Sequence, residues 1–75
     1  MNNGLEKEIL QEITKKLLMS KEEIMFFLED KVEDPFKIAN EILSSLLKQD
    51  FIAVAPVGTN AYAVTQRGMR EARKV

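Results

Sequence analysis

The chain has 75 residues and a net charge of −1, and it contains neither cysteine nor histidine. This length fits a single domain over residues 1–75, which would bury only about 60% of its unfolded surface. The missing residue types exclude disulfides, thiolate metal sites and the usual zinc ligand and general base. No apolar run approaches the roughly 20 residues that cross a bilayer, and residues 1–4 lack signal-peptide features, so we expect a soluble cytoplasmic protein without membrane contact.

Helical periodicity dominates the first part of the chain. Leucines and isoleucines at helical spacing predict a first helix over residues 5–19, with glutamates and lysines on its solvated face. Ser20 and Glu23 then form a capping-box pattern, in which a hydroxyl and a carboxylate satisfy backbone N–H groups at a helix start. A second helix is therefore predicted over residues 21–31.

Met25 and Phe26 do not fit the apolar stripe of this second helix, which consists of Ile24, Phe27 and Leu28. Burial in the core is the commonest fate of these residue types. The alternative is an exposed patch for self-association, because contiguous apolar surface often marks an interface. Both interpretations stay open at this point.

A third helix is predicted over residues 35–49. Asp34 suits its N-cap, and Pro35 takes the first helical position, where its missing N–H costs nothing. The short connector after the second helix fits a helix-turn-helix or any other helical hairpin. The apolar residues of this third helix share one face: Ile38, Ala39, Ile42, Leu43, Leu46 and Leu47.

Two short apolar runs, residues 51–57 and 61–64, predict a β-hairpin with a three-residue loop at 58–60. Pro56 lacks an N–H and is confined to an edge or to a position outside the ladder.

Parity sets the expected register of this hairpin. Pairing Val54 with Val64 keeps these residues on one face together with Ile52 and Tyr62, whereas a two-residue loop would set them against alanines. In such a three-residue loop, we expect Asn60 to adopt the left-handed conformation.

A short last helix is predicted over residues 66–74, with Thr65 as its N-cap. Gly68 lies in its first turn, where a close approach of the helix and hairpin backbones would explain a residue that disfavours helix. The predicted order is α-α-α-β-β-α, which is a mostly helical α+β chain. The basic residues of the last helix face outward: Arg67, Arg70, Arg73 and Lys74.

Residues 46–52 (Leu-Leu-Lys-Gln-Asp-Phe-Ile) and 62–68 (Tyr-Ala-Val-Thr-Gln-Arg-Gly) resemble the winged helix-turn-helix domains of prokaryotic transcriptional regulators. In that family a leucine-rich turn ends the recognition helix, and a Tyr-x-Leu-Thr-x-x-Gly-like motif leads from the wing into the last helix. The resemblance is strongest over residues 42–72 and implies a winged helix: a three-helix bundle, a two-stranded β-hairpin wing and a short C-terminal helix. The chain departs from the pattern at Asp50, where glycine is common, and in its wing turn, which has no basic residue.

The resemblance implies that helix 3 enters the major groove and that its exposed N-terminal residues read bases. Asparagine can pair with adenine, and lysine can reach guanine or phosphate. Free backbone N–H groups at the start of helix 2 could hold a phosphate. The predicted DNA contacts are Ser20, Lys21, Phe36, Lys37, Asn40, Ser44, Thr59 and Asn60, with further phosphate contacts from Arg67 and Arg70.

The charge distribution limits the affinity that we expect for DNA. Residues 51–75 carry three arginines and one lysine against one glutamate, whereas the rest of the chain is mildly acidic. We therefore expect about two to four neutralised phosphates per protomer, and a dimer to make specific binding useful. The predicted function is a small transcriptional regulator that binds double-stranded DNA.

A protein-interaction module without significant DNA binding is the alternative. The acidic balance, the uncharged wing and the pair Met25 and Phe26 favour it, and its partner would be a second copy or another protein. Catalysis is not expected, because the chain has no nucleophile–base arrangement, no Gly-rich phosphate loop and no metal-ligand spacing. No cofactor, metal or small-molecule substrate is predicted either.

Overall fold

A computed structural model describes residues 3–56 and 60–74, with side chains from Gly4 onward, and shows a mostly helical α+β fold. In this part of the chain, helices pack around a small antiparallel sheet. No helix in the described residues is both long and apolar enough to cross a bilayer. In chain order the elements are α1 (Asn3–Lys16), β1 (Leu18–Ser20), α2 (Lys21–Leu28), α3 (Pro35–Lys48), β2 (Ile52–Val54), β3 (Ala61–Val64) and α4 (Gln66–Arg73).

The first helix ends earlier than its periodicity predicts. α1 stops at Lys16 instead of residue 19, and Leu17 follows in the left-handed region with φ 71°. The chain then forms β1, which pairs with β3 and buries Met19 in the core. The predicted order α-α-α-β-β-α, with a two-stranded hairpin, is therefore wrong in its strand count. Tertiary pairing and the burial of Met19 outweigh a local preference for helix.

The sheet has the strand order β1-β3-β2, and both pairs are antiparallel. Val54 lies opposite Tyr62 and Ile52 lies opposite Val64, so the predicted pairing of Val54 with Val64 is wrong by two residues. A shift of two preserves parity, so the four side chains share one face as predicted. Ile52 reaches the core, whereas Val54 is 62% exposed.

Residues 58 and 59 of the loop predicted at 58–60 lie outside the described residues, but the pairing next to it is described. The N–H of Ala55 donates to the carbonyl oxygen of Ala61 at 2.9 Å, which leaves residues 56–60 between the paired positions. In this register Pro56 lies outside the β-ladder, so the sheet does not need the N–H that proline lacks.

α2 begins at the predicted capping box. The Ser20 hydroxyl accepts from the N–H of Glu23 at 3.1 Å, and the Glu23 carboxylate accepts from the N–H of Ser20 at 2.9 Å. The helix ends at Leu28, before the predicted residue 31, and the N–H groups of Lys31 and Val32 close the turn on the carbonyl of Leu28.

The core lies between the four helices and the inner face of the sheet. The predicted apolar stripe of α3 is confirmed, with Ile38 and Leu47 at its partly buried margins. The buried core cluster consists of Ile9, Leu10, Ile13, Met19, Ile24, Leu28, Ala39, Ile42, Leu43, Leu46, Ile52 and Ala72.

α4 packs closely against the segment that leaves α3. Asp50 has φ 64°, the left-handed conformation for which glycine is usual. A Cβ atom on Gly68 would lie 2.0 Å from the carbonyl oxygen of Phe51 and 3.0 Å from Val64 Cγ2, so the predicted close approach of helix and hairpin is confirmed. Thr65 is the N-cap of α4, since its hydroxyl accepts from the N–H of Gly68 at 3.0 Å.

Candidate nucleic-acid interface

The first turns of α3 present the polar stripe predicted to read DNA. The Asp34 carboxylate accepts from the N–H of Lys37 at 3.2 Å and fixes the start of the helix at Pro35. Lys37 and Ser44 are exposed and Asn40 is half-buried, and their spacing places the three side chains along one side of the helix. A shallow open groove follows this side from Asn40 towards the C-terminal end of the helix.

Lys21 brings three predicted contact regions together. Its ammonium nitrogen lies 4.6 Å from the ring centroid of Phe36, which is 56% exposed on the first turn of α3. Its backbone N–H donates to the carbonyl oxygen of Asn60 at 2.7 Å, just before β3. The start of α2, the start of α3 and the C-terminal side of the hairpin loop therefore meet at one surface, which we call the Lys21 junction: Ser20, Lys21, Phe36, Lys37 and Asn60.

The start of α2 does not offer the free N–H groups predicted for phosphate. The N–H of Ser20 is bound to Glu23, that of Glu23 to the Ser20 hydroxyl, and that of Lys21 to Asn60. The hydrogen bond from the backbone of Ser20, its hydroxyl and the charge of Lys16 hold the pKa of the Glu23 carboxyl below its ordinary value. A carboxylate thus occupies this helix start and disfavours a phosphate there, which leaves the Lys21 ammonium group as the predicted contact.

Arg67 and Arg70 are exposed, as predicted, but the structure does not bring them to the Lys21 junction. They lie on α4, whose Gly68 packs on Phe51, directly after the C-terminal end of α3. The Arg67 guanidinium carbon is 5.9 Å from the ring centroid of Phe51. Fourteen helical residues span roughly 21 Å, so the two arginines lie near the opposite end of α3 from Lys37.

Two predicted wing contacts are only partly described. Thr59 lies outside the described residues. The carbonyl of Asn60 is placed by its bond to Lys21 and its side chain is exposed, but its φ angle depends on residue 59, so the left-handed conformation stays a prediction.

Met25 and Phe26 separate into two environments. Met25 is partly buried and packs against the core, whereas Phe26 is 77% exposed. Most of the Met25 side chain is thus buried against the core. The exposed apolar surface predicted for the pair is formed mainly by Phe26.

A carboxylate network at the C-terminal end of α3 was not predicted from the sequence. Glu6 Oε2 accepts from Ser45 Oγ and from Gln49 Nε2, both at 3.0 Å, and so joins α1 to α3. Ser45 lies outside the apolar stripe of α3, and its partner lies on a helix far away in sequence. No local pattern could reveal this contact.

The described residues contain no group of three or more acidic side chains that could hold a metal ion. No protein-family model, curated protein or solved structure matches the chain. Function is therefore inferred from geometry and charge.

Proposed function

We propose that the chain is a winged helix-turn-helix DNA-binding domain that acts as a small transcriptional regulator, with α3 inserted in the major groove. The Lys21 junction carries this proposal, because it places an ammonium group and the end of the hairpin loop beside the exposed first turns of α3. In helix-turn-helix binding, the N-terminal residues of the second helix contact base edges.

The dimensions of α3 support insertion. A helix with its side chains is about 10–12 Å across, and the major groove of B-DNA is about 12 Å wide. In this orientation Asn40 would read a base edge, and Lys37 would reach guanine or phosphate. Lys21 and Asn60 would then face the adjacent backbone.

Few charges support the contact, so the binding we propose is weak for a single protomer. Lys21 and Lys37 supply positive charge at the junction, whereas the carboxylates of Asp34, at the N-cap of α3, and of Glu41, in the middle of the helix, oppose phosphate. Two copies on adjacent half-sites would double the number of phosphate contacts.

A titration of a mixed-sequence duplex at two salt concentrations, followed by NMR shifts, tests this proposal. We expect shifts at Lys21, Asn60 and the first half of α3, and binding that weakens as salt rises. Binding that does not depend on salt, or shifts confined to other surfaces, would overturn it.

Lys37→Ala and Lys15→Ala form a matched pair for this experiment, since both remove an exposed lysine from a helix. A plot of the logarithm of the binding constant against the logarithm of the salt concentration has a slope set by the number of phosphate contacts. If Lys37 contacts phosphate, its removal makes this slope less steep by about one. Lys15 lies on α1, so its removal should leave the slope as in the wild type. An equal effect of the two substitutions would indicate a nonspecific charge effect.

A protein-interaction module is the second candidate function, and the 77% exposure of Phe26 favours it. Absence of duplex binding at low salt, together with a partner that shifts α2 resonances, would replace the first candidate with the second.

A further inference from the structure

Phe26 differs from the other phenylalanines in what covers its ring. Lys31 lies 4.9 Å from the ring centroid of Phe27, Lys21 lies 4.6 Å from that of Phe36, and Arg67 lies 5.9 Å from that of Phe51. All four phenylalanines fall within residues 4–56 and 60–74, and in this part of the chain Phe26 alone has no cation over its ring. It is also the most exposed of the large apolar residues described, at 77%.

Carboxylates outnumber cations around this uncovered ring: one groove beside it is lined by four carboxylates and by Lys16 and Lys31, and the other by two carboxylates and no cation. Two shallow grooves flank Phe26, and both are lined by Glu22 and Glu29, one turn before and about one turn after it on α2. Asp30 borders one of these grooves, and within the described residues none of the three carboxylates forms an ion pair. An aromatic face between unpaired carboxylates attracts a cation through both the ring quadrupole and the charges.

We propose that this surface of α2, consisting of Glu22, Met25, Phe26, Glu29 and Asp30, docks a basic segment of a partner protein. An arginine of that segment stacks on Phe26, and its guanidinium group, or that of a neighbouring arginine, pairs with Glu22 or Glu29. Arginine suits this position because its planar group stacks on rings and pairs with carboxylates in a bidentate manner. A neighbouring apolar side chain of the partner covers the groove between α2 and Pro35.

A second copy of the chain fits this surface less well. A two-fold pairing through Phe26 would bring Glu22 and Glu29 of one copy against the same carboxylates of the other. α4 offers exposed arginines, but Ala72 is buried and Met69 is half-buried, so this helix has no exposed apolar stripe to cover the groove. Charge complementarity therefore points to a different protein.

A designed amphipathic peptide, with a leucine stripe flanked by arginines, serves as the probe. The reference peptide has glutamate in place of each arginine. We expect the arginine peptide to bind and to shift resonances of Glu22, Phe26 and Glu29, while the glutamate peptide does not bind. Equal binding of both peptides, or shifts elsewhere on the domain, would overturn the proposal.

Phe26→Ala should weaken binding of the arginine peptide by about tenfold or more, as expected for a central aromatic anchor. Val54→Ala is the matched control, because Val54 is also exposed, at 62%, but lies on β2. The double variant Glu22→Lys/Glu29→Lys should reverse the preference to the glutamate peptide, and it tests the proposal independently of Phe26→Ala. No reversal, or an equal loss in Val54→Ala, would contradict it.

This surface is independent of the proposed DNA contact. Phe26→Ala should leave the duplex titration unchanged, whereas Lys37→Ala should leave peptide binding unchanged. Self-association of the wild-type chain that Phe26→Ala abolishes would assign the surface to a second copy and overturn the partner named here.

Discussion

The two ends of α3 differ in how they are held. At the C-terminal end, Glu6 joins α1 to Ser45 and Gln49, and Gly68 lies directly against Phe51. At the N-terminal end, one capping carboxylate and the Lys21 ammonium group hold a turn whose side chains are largely exposed. A firmly packed end fixes the direction of the helix, and this leaves the other end free to meet a ligand without first being ordered.

Of the substitutions that test this difference between the two ends of α3, Gly68→Ala should lower the stability of the protein the most. The new Cβ would meet the carbonyl oxygen of Phe51 at 2.0 Å, and backbone cannot move aside as a side chain can. We expect the free energy of unfolding to fall by about 2 kcal/mol or more, because overpacking outweighs the roughly 1 kcal/mol that alanine gains in helix propensity. Urea unfolding measures this difference.

Gly4→Ala is the control for that substitution, since nothing lies within 4 Å of a Cβ at this position on α1. We expect it to be neutral or slightly stabilising. If Gly68→Ala proved equally harmless, the close packing of α4 on the end of α3 would be disproved.

Glu6→Ala should cause the next largest loss of stability. It removes the acceptor of the Ser45 and Gln49 hydrogen bonds at a partly buried site, which should cost about 1 kcal/mol. Glu8→Ala removes an exposed glutamate from the same helix and should change stability by less than about 0.5 kcal/mol. Equal unfolding midpoints for the two variants would show that the network does not hold α1 to α3.

Acid should weaken the α2 cap. The pKa of Glu23 is lowered in the folded protein, so the stabilisation is fully present above the ordinary value of 4.5 and is lost as pH falls through the folded pKa. The wild-type chain should therefore lose more stability than Glu23→Gln between about pH 6 and pH 3, because glutamine does not titrate.

Thermal unfolding across that range measures the difference. Ser20→Ala removes the hydroxyl but keeps the backbone N–H, which is the largest cause of the lowered pKa, so it should retain part of the acid sensitivity. If the wild type and Glu23→Gln lost the same stability in acid, the Glu23 carboxylate would not be the source of the acid-sensitive stabilisation.

The smallest effect on stability should come from the exposed end of α3. Lys37→Ala changes a solvated side chain, so we expect the free energy of unfolding to shift by less than about 0.5 kcal/mol. A loss comparable with that of Glu6→Ala would show that the N-terminal end is held as firmly as the C-terminal end, and it would remove the contrast between them.

Local signals made the helix starts predictable from the sequence. Ser20 with Glu23, Asp34 with Pro35, and Thr65 each carry the chemistry of a helix start within four residues, and the structure shows all three caps. The close approach at Gly68 could also be predicted, because a glycine inside a helix requires a reason.

Features that depend on distant residues could not be predicted in the same way. Parity distinguishes odd from even registers, so it gave the correct face for Val54 but not its partner Tyr62. The contact between Lys21 and Asn60 joins segments far apart in sequence, and it is what brings the candidate site together. The charges of the site were visible in the sequence, but which of them meet was not.

Leu17 has a consequence for the energy landscape of the fold. Residues 5–19 have the periodicity of one continuous helix, yet the chain leaves that path at Leu17, a 59% exposed residue with φ 71°. Left-handed backbone costs a residue with a side chain roughly 1–2 kcal/mol, so local preference and native pairing conflict here. Glycine at position 17 would relieve this frustration in favour of β1, and alanine would add to the competing helical state. The backbone at Leu17 thus opposes the third strand, and the pairing of β1 with β3 and the burial of Met19 outweigh that cost.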